Sequence, residues 1–492
     1  MEFHVHKTLE LLLLMIATAT AVSCEGRIGH YRDVHRANAH SSLKVDGTSS
    51  WKPDDHRANR DFLYKSIAPE EEFRSDDPRK VFSRPISGLT SDHLRRFFLG
   101  NSIFNTRWVP AQERPQPFSG LGPVYSQDSC VSCHLLNGRG EPTSKASHFS
   151  SMVTKLSIDE QGPQGEVQGD PRYGLQLNYQ AIAGVPAEGR VAVSYYGQVQ
   201  RFSDGSAIRL HIPHYSFIGL NFGAIQARTR RSPRIAPPVF GVGLLEAIDD
   251  KTLLSLQARK LKTKGHVNIV FDRSTHRKTI GRFGWKAGQP NLVQQTADAL
   301  IEDMGITSAL YPEKNCPIFQ LQCRQAASER QPDASPQVLS ALTEYVRLLG
   351  APRRRDEKLP VVKRGERLFH EAGCENCHVP NLTTGADAEH PELSNREIHP
   401  YSDLLLHDMG ASLSDGRREF QATASEWRTA PLWGLGLSEK VAGHLSLMHD
   451  GRAKTILEAI MWHGGDAAPA RKAVAKYERR DREALLEFLQ SL

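Results

Sequence analysis

The chain has 492 residues, of which 39% are hydrophobic and 24% charged, with a formal net charge of +6. This length suits two or three domains with cores of their own, and the composition excludes a membrane bundle. The charge is mild and dispersed. Its short runs, Arg353-Arg354-Arg355 and Arg228-Thr229-Arg230-Arg231, read as solvated loop charge, and no nucleic-acid-binding motif accompanies them.

An apolar run covers residues 11–22 and ends in small residues. It is too short to span a bilayer, so residues 1–24 read as a secretory signal. The run stops at Ala21-Val22-Ser23-Cys24, a stretch similar to a bacterial lipoprotein cleavage site, with Ala where Leu is usual. Cys24 is therefore a candidate for lipidation, although a plain cleaved signal accounts for the same run. Both readings place the protein in the periplasm or cell envelope, and only the lipoprotein reading attaches it to a membrane, through a lipid at Cys24. Residues 25–90 are polar and broken by Pro and Gly, and His35-Arg36-Ala37-Asn38 recurs as His56-Arg57-Ala58-Asn59. We expect a polar extension here.

Order is expected from Thr90-Ser91-Asp92, a helix start, with Leu94, Phe97, Phe98, Ile103, Phe104 and Trp108 following at mostly helical spacing. Next comes Cys130-Val131-Ser132-Cys133-His134, and the same pattern returns as Cys374-Glu375-Asn376-Cys377-His378. C-x-x-C-H attaches a c-type haem: each cysteine forms a thioether with a vinyl group, and the histidine is the proximal iron ligand. A zinc site wants more Cys or His at finger spacing, and a thioredoxin-like dithiol has no obligatory His. The expected cofactors are therefore two covalently bound haem c groups.

Between the motifs, residues of about 150–217 alternate as Leu175-Gln176-Leu177-Asn178-Tyr179 and Val191-Ala192-Val193-Ser194-Tyr195, a β-rich insertion. Residues 232–246 (SPRIAPPVFGVGLLE) and 425–439 (SEWRTAPLWGLGLSE) align without gaps, with Phe240 opposite Trp433. Each follows one haem motif, and the simplest meaning of the repeat is two homologous haem domains. Helices are expected over 291–303, 335–349, 362–372 and 455–462. Gly350 is placed to end the second of these, and Pro352 cannot continue it. We therefore expect a mainly α protein: a first cytochrome c-like domain over 91–350 that carries the insertion, and a second over 351–492. Cys316 and Cys323 remain over, and in an exported chain they are expected to form a disulfide.

What fills the second axial position of each iron decides between electron transfer and catalysis. A ligand-type residue followed by Gly ends the corresponding helix in each half, at Met304-Gly305 and His463-Gly464. The expected distal ligands are therefore Met304 for the first haem and His463 for the second; His148, His407, Met409, Met448 and Met461 compete. Glu246, Gln294 and Gln295 are candidates to handle protons or to position a peroxide by hydrogen bonding. Trp285 is a candidate electron relay between the haems.

Several stretches resemble those of bacterial di-haem oxidoreductases, which are described as peroxidases or thiol oxidoreductases and are related to the di-haem cytochrome c peroxidases and MauG enzymes. They include Phe98-Leu99-Gly100-Asn101-Ser102, Gly284-Trp285-Lys286-Ala287-Gly288, Asp303-Met304-Gly305-Ile306-Thr307, His407-Asp408-Met409-Gly410, His449-Asp450-Gly451-Arg452 and His463-Gly464-Gly465, together with both haem motifs. The resemblance runs from about residue 91 to the end. It implies an oxidoreductase that passes electrons between two haems, with hydrogen peroxide or a small oxidisable substrate and a small electron-donor redox protein as partners. A non-catalytic di-haem electron carrier and a MauG-like oxidation of a partner protein are the alternatives. The distal histidine that the peroxidases carry after the first motif has its one counterpart here in His148.

Overall fold

The computed structural model describes residues 77–111, 118–143, 151–259, 264–326 and 332–492. The signal, Cys24, most of the polar extension and His148 lie outside these. Among the described residues no helix is long and apolar enough to cross a membrane.

The helices that matter are α1 (Ser91–Asn105), α2 (Val242–Glu246), α3 (Leu292–Met304), α4 (Pro336–Leu348), α5 (Pro360–Glu371), α6 (Ile456–Trp462) and α7 (Arg479–Ser491). Several begin where side-chain oxygens can satisfy orphan N–H groups. The Thr90, Asn291, Ser335 and Thr455 side chains accept from the backbone N–H groups of His93, Gln294, Val338 and Glu458. α4 stops at Leu348. Leu349 is extended and bridges to Pro85, and the N–H of Gly350 donates to Arg84 O, so a pairing with the segment before α1 ends this helix, not a left-handed glycine.

The strands are more extensive than expected. β1 (Met152–Ser157) pairs with β2 (Gln176–Leu177) on one side and β5 (Arg230–Ile235) on the other. β3 (Arg190–Arg201) and β4 (Ala207–Ile218) form an antiparallel ribbon with all twelve residues of each in register. A further hairpin, Asn268–Asp272 with Arg277–Gly281, follows. The fold thus combines helices with several small sheets, and the mainly α description holds in part.

Two large apolar cores and three small ones form among the described residues. The first gathers Phe97, Phe104, Leu245, Leu300, Leu342 and Tyr345. The second gathers Phe369, Trp427, Met461, Leu485 and Phe488, and it also includes Phe202 and Leu210 from the ribbon. The ribbon, expected as part of the first half, therefore packs on the second. Polar ties fix it there: Tyr215 donates to Asp450 at 2.6 Å, Arg482 to Asp204 at 2.6 Å, and His211 meets Glu458 at 3.0 Å.

The helical framework of the first half is repeated in the second. A Cβ on Gly100 of α1 would lie 2.0 Å from Ala341 O of α4, and one on Gly365 of α5 would lie 1.9 Å from Ala484 O of α7. Each glycine lets two helix backbones touch. The Pro-Gly repeat is reciprocal: a Cβ on Gly241 would strike Trp433, and one on Gly434 would strike Phe240, 2.7 Å away in each case. Both glycines have positive φ, +72° and +74°, which suits Gly. The two halves thus grip each other through the same pair of residues.

Candidate functional site

Each haem-type motif sits on a single helical turn. His134 N–H donates to Cys130 O at 3.0 Å, and His378 N–H to Cys374 O at 2.9 Å. α5 delivers the second motif, because Gly373, at φ +77°, turns the chain out of the helix directly before Cys374. Against each histidine lies a phenylalanine four residues after the helix-contact glycine. Phe104 is 6.2 Å from the His134 ring at an angle of 50°, and Phe369 is 6.5 Å from the His378 ring at 56°. An aromatic residue of the partner helix backs each one: Tyr345 lies 5.1 Å from Phe104, and Phe488 lies 5.2 Å from Phe369.

All four motif cysteines are free of disulfides. Burial pushes the Cys130 and Cys374 thiols up to about 12, with the Asp303 carboxylate adding to the effect at Cys130. Neither is the exposed, low-pKa thiolate of a dithiol redox centre.

His378 and His463 lie beside each other with ring centroids 6.4 Å apart and planes tilted by 48°. Tyr401 O binds Nδ1 of His378 at 2.9 Å, and Ala459 O binds Nδ1 of His463 at 2.7 Å. A carbonyl oxygen only accepts, so each Nδ1 carries the proton and each Nε2 keeps its lone pair for a metal. Burial reinforces this by pushing His378 down to about 4 and His463 below its ordinary value. An imidazole bound through Nε2 at about 2 Å has its centroid about 3 Å from the metal, so two opposed ligands of one ion stand roughly 6 Å apart. The observed spacing fits that requirement.

The pair opens into a cavity of about 420 Å³ lined by Cys374, Cys377, Phe369, Trp427, Trp433 and Trp285, among others. Its size and aromatic walls suit a planar cofactor. Trp427 stacks on His449 at 3.8 Å and 10°, and Lys286 lies 4.1 Å from its ring centroid. Close by, Cys377, Asp403 and His407 bring a thiol, a carboxylate and an imidazole within 4.8 Å of one another. Here His407 Nε2 is held by Asp403 at 2.8 Å, and its Nδ1 faces the Cys377 sulfur at 3.6 Å.

The remaining expectations separate. Met304 is 3% exposed and packs within the first apolar core, unlike the motif histidines, which keep accessible surface. Gly305 after it is a left-handed helix cap at φ +65° whose N–H donates to Ile301 O. The Met-Gly pair thus ends the helix, and Met304 packs in the apolar core that also receives Cys130 of the first motif. Glu246 accepts from the Leu292 N–H at 2.7 Å and from Arg347 at 2.8 Å, tying α2 to α3 and α4. Gln294 is buried; it accepts from Arg273 N–H and donates to Phe271 O and Gln289. Both are tied into the surrounding elements, Gln294 buried and Glu246 with part of its side chain still accessible. Gln295 is half-buried in α3 near Gly284. Trp285 does line the cavity, with its indole N–H donating to Ile235 O at 2.9 Å. Cys316 and Cys323 are joined by a disulfide, S–S 2.04 Å.

Two features of this framework have sequence signals that the repeat at 232–246 and 425–439 does not cover. Gly100-x-x-x-Phe104 matches Gly365-x-x-x-Phe369, and Ala341-Leu342-Thr343-Glu344-Tyr345 matches Ala484-Leu485-Leu486-Glu487-Phe488.

The family model described as "Di-haem oxidoreductase, putative peroxidase" matches residues 222–492, more than half of the chain. No curated protein matches. Among solved structures, hydrazine synthase of Kuenenia stuttgartiensis, pressurised with xenon at 20 bar, is similar at 15% identity and a TM-score of 0.31, over 92% of this chain and 98% of that one. With two haem-type motifs on a duplicated framework and the family match across the second of them, the chain belongs to the di-haem oxidoreductase family.

Proposed function

We propose that this chain carries two covalently bound haem c groups and works as a peroxidase-like oxidoreductase of the cell envelope. Cys130, Cys133 and His134 would hold the first haem, and Cys374, Cys377, His378 and His463 the second. When bound, each haem supplies an iron that takes up and releases one electron at a time. The observation that carries the reading is the pair His378 and His463 over the C-x-x-C-H cavity. Two neutral, backbone-anchored imidazoles would hold an iron there and leave it to electron transfer. The second haem is then the electron-transfer site.

The first haem is the place for substrate. His134 has Phe104 as its ring neighbour, and Met304 is committed to the core. Reduction of one peroxide to two waters consumes two electrons and two protons, so the chain needs acidic groups near the first motif. The helix α3 that was expected to offer Met304 presents Asp303, whose carboxylate acts on Cys130 and Cys133, and Asp298 and Glu302, both interacting with Asp303 and with Lys155 of β1. Burial, together with the Asp298 and Asp303 carboxylates and against Lys155, pushes Glu302 up to about 7. A carboxyl group near neutrality suits proton delivery. These groups replace Glu246 and Gln294 as the acid–base candidates.

Trp285 belongs to the same reading as an electron relay, because it lines the second cavity while Arg139, five residues beyond His134, lies 5.9 Å from its ring centroid. Electrons would come from a small redox protein. The Cys316–Cys323 disulfide supports an oxidising compartment. The division into a first cytochrome c-like domain over 91–350 and a second over 351–492 is part of the proposal.

Mass measurement of the peptides holding Cys130-Cys133 and Cys374-Cys377 tests the attachment. Each is expected to carry one haem. Bare thiols in protein matured with its haem supply, or zinc bound at Cys377, Asp403 and His407, would contradict the reading.

A further inference from the structure

The second cavity is apolar along most of its wall, yet its charged lining is one-sided. Arg139, Arg428 and Arg471 face it against one acidic side chain, Asp466. Two of these arginines, Arg139 and Arg428, are half-buried in the cavity wall. Arg428 donates from Nε to Gly284 O at 3.0 Å and from a terminal nitrogen to Thr429 O at 3.3 Å, both neutral acceptors. The acidic group that acts on it, Asp403, is already held by His407 at 2.8 Å. Nε of Arg139 is buried without a hydrogen-bond partner, and its guanidinium lies over the Trp285 ring. Among the described residues neither guanidinium has a carboxylate within ion-pairing distance, although the buried arginines elsewhere do. Arg234 pairs with Glu419 at 2.9 Å, and Arg452 with Asp450 at 2.7 Å.

A buried guanidinium without a counter-charge is costly unless something else supplies the charge. Here burial alone pushes Arg139 down to about 10, so it stays cationic at neutral pH. Arginine is suited to carboxylates, which it meets through paired N–H donors. The missing anion therefore has to come with the ligand of the cavity. A haem attached through its vinyl groups still carries two free propionate carboxylates.

We propose that Arg139 and Arg428 form a carboxylate clamp for the propionates of the haem attached at Cys374 and Cys377. This rests on the haem reading of that cavity. The clamp is built from both halves of the molecule: Arg139 belongs to the loop after the first haem motif, and Arg428 to the repeat segment after the second. Both also frame Trp285, since Arg428 N–H donates to Trp285 O at 2.9 Å while Arg139 covers the ring. The charge at the second haem is thus set in part by the loop that carries the first.

The test is redox titration of the low-spin haem in the matured full-length protein, comparing Arg139→Gln, Arg428→Gln and Arg139→Lys. Removing a cation beside a haem favours its oxidised, more positive form. Arg139→Gln and Arg428→Gln are therefore each expected to shift the midpoint of that haem downward, and Arg139→Lys is expected to restore most of the shift. The midpoint in the Gln variants is also expected to vary more with pH near neutrality, because propionates released from the clamp take up protons. An unchanged midpoint in Arg139→Gln, with haem confirmed by mass at Cys374 and Cys377, would overturn the clamp and leave the haem reading standing. Absence of haem at those cysteines would overturn both. Arg428 also holds a backbone segment, so Arg139 decides the matter if Arg428→Gln fails to fold.

Discussion

The chemistry turns on a few imidazoles whose backbone hydrogen bonds choose their tautomers. His378 and His463 are both anchored through Nδ1, so Nε2 of each is left with its lone pair free to bind a metal. Replacing His463 with Ala is expected to convert the second haem from low-spin to high-spin, read by its absorption spectrum, while Met304→Leu leaves both haem spectra unchanged. His449 has a different task. It is buried against Trp427, and burial first, with the Arg452 and Arg234 charges and against Asp450 and Asp415, pushes it down to about 4. A histidine depressed from about 6.5 binds fewer protons folded than unfolded, so its contribution to stability is lost as pH falls from about 6.5 towards 4. In the haem-loaded protein the iron ligands are occupied, which leaves His449 among the groups that must charge on acid unfolding. His449→Phe keeps the ring stack and is expected to make the melting temperature less sensitive to acid over that window.

At the level of elements, the decisive contacts are helix pairs brought together by glycine. Gly365→Ala would place a methyl group 1.9 Å from Ala484 O and force α5 and α7 apart. Overpacking of this kind costs about 1–3 kcal/mol, and a backbone obstacle puts it at the upper end. The expected result is a clear drop in the denaturant midpoint with the m-value unchanged. Much of this level could be read in the chain. The caps Thr90, Asn291, Ser335 and Thr455 mark their helices, and Phe240 opposite Trp433 marks the reciprocal Pro-Gly contact. At Met304 a left-handed glycine cap and a Gly-flanked ligand look alike in one dimension, so the sequence alone does not separate them. The ties that Glu246 and Gln294 make were not legible, because polarity in a promising stretch does not reveal whether backbone groups will claim it. The Phe104 and Phe369 backing of the motif histidines was legible as Gly-x-x-x-Phe, but the longer spacing before the first motif hides the match.

Across the whole molecule, the two halves share both framework and cavity. The β3–β4 ribbon leaves the first half to pack on the second core, and Arg139 crosses to the second cavity. Neither follows from local pattern, because both are long-range pairings that only the assembled chain defines. The middle of this arrangement is Trp285, which touches segments from both motifs. Trp285 has Arg139 over its ring at 5.9 Å, whereas Trp427 has two nearer cations, Lys286 at 4.1 Å and Arg234 at 5.4 Å; a cation over the ring opposes a developing positive charge, so oxidation of Trp285 is the easier of the two to sustain. Trp285→Phe is therefore expected to slow electron transfer between the haems in a rapid-mixing experiment, and Trp427→Phe to leave that rate near the parent value.

The central claim is a division of labour between one saturated iron and one open iron. Electron paramagnetic resonance of the oxidised, haem-loaded protein, recorded before and after hydrogen peroxide, tests it most directly. The account predicts one low-spin signal from the haem held by His378 and His463 and one high-spin signal from the haem held by His134, with peroxide abolishing the high-spin signal first. Two low-spin signals that ignore peroxide would contradict it and make the protein an electron carrier.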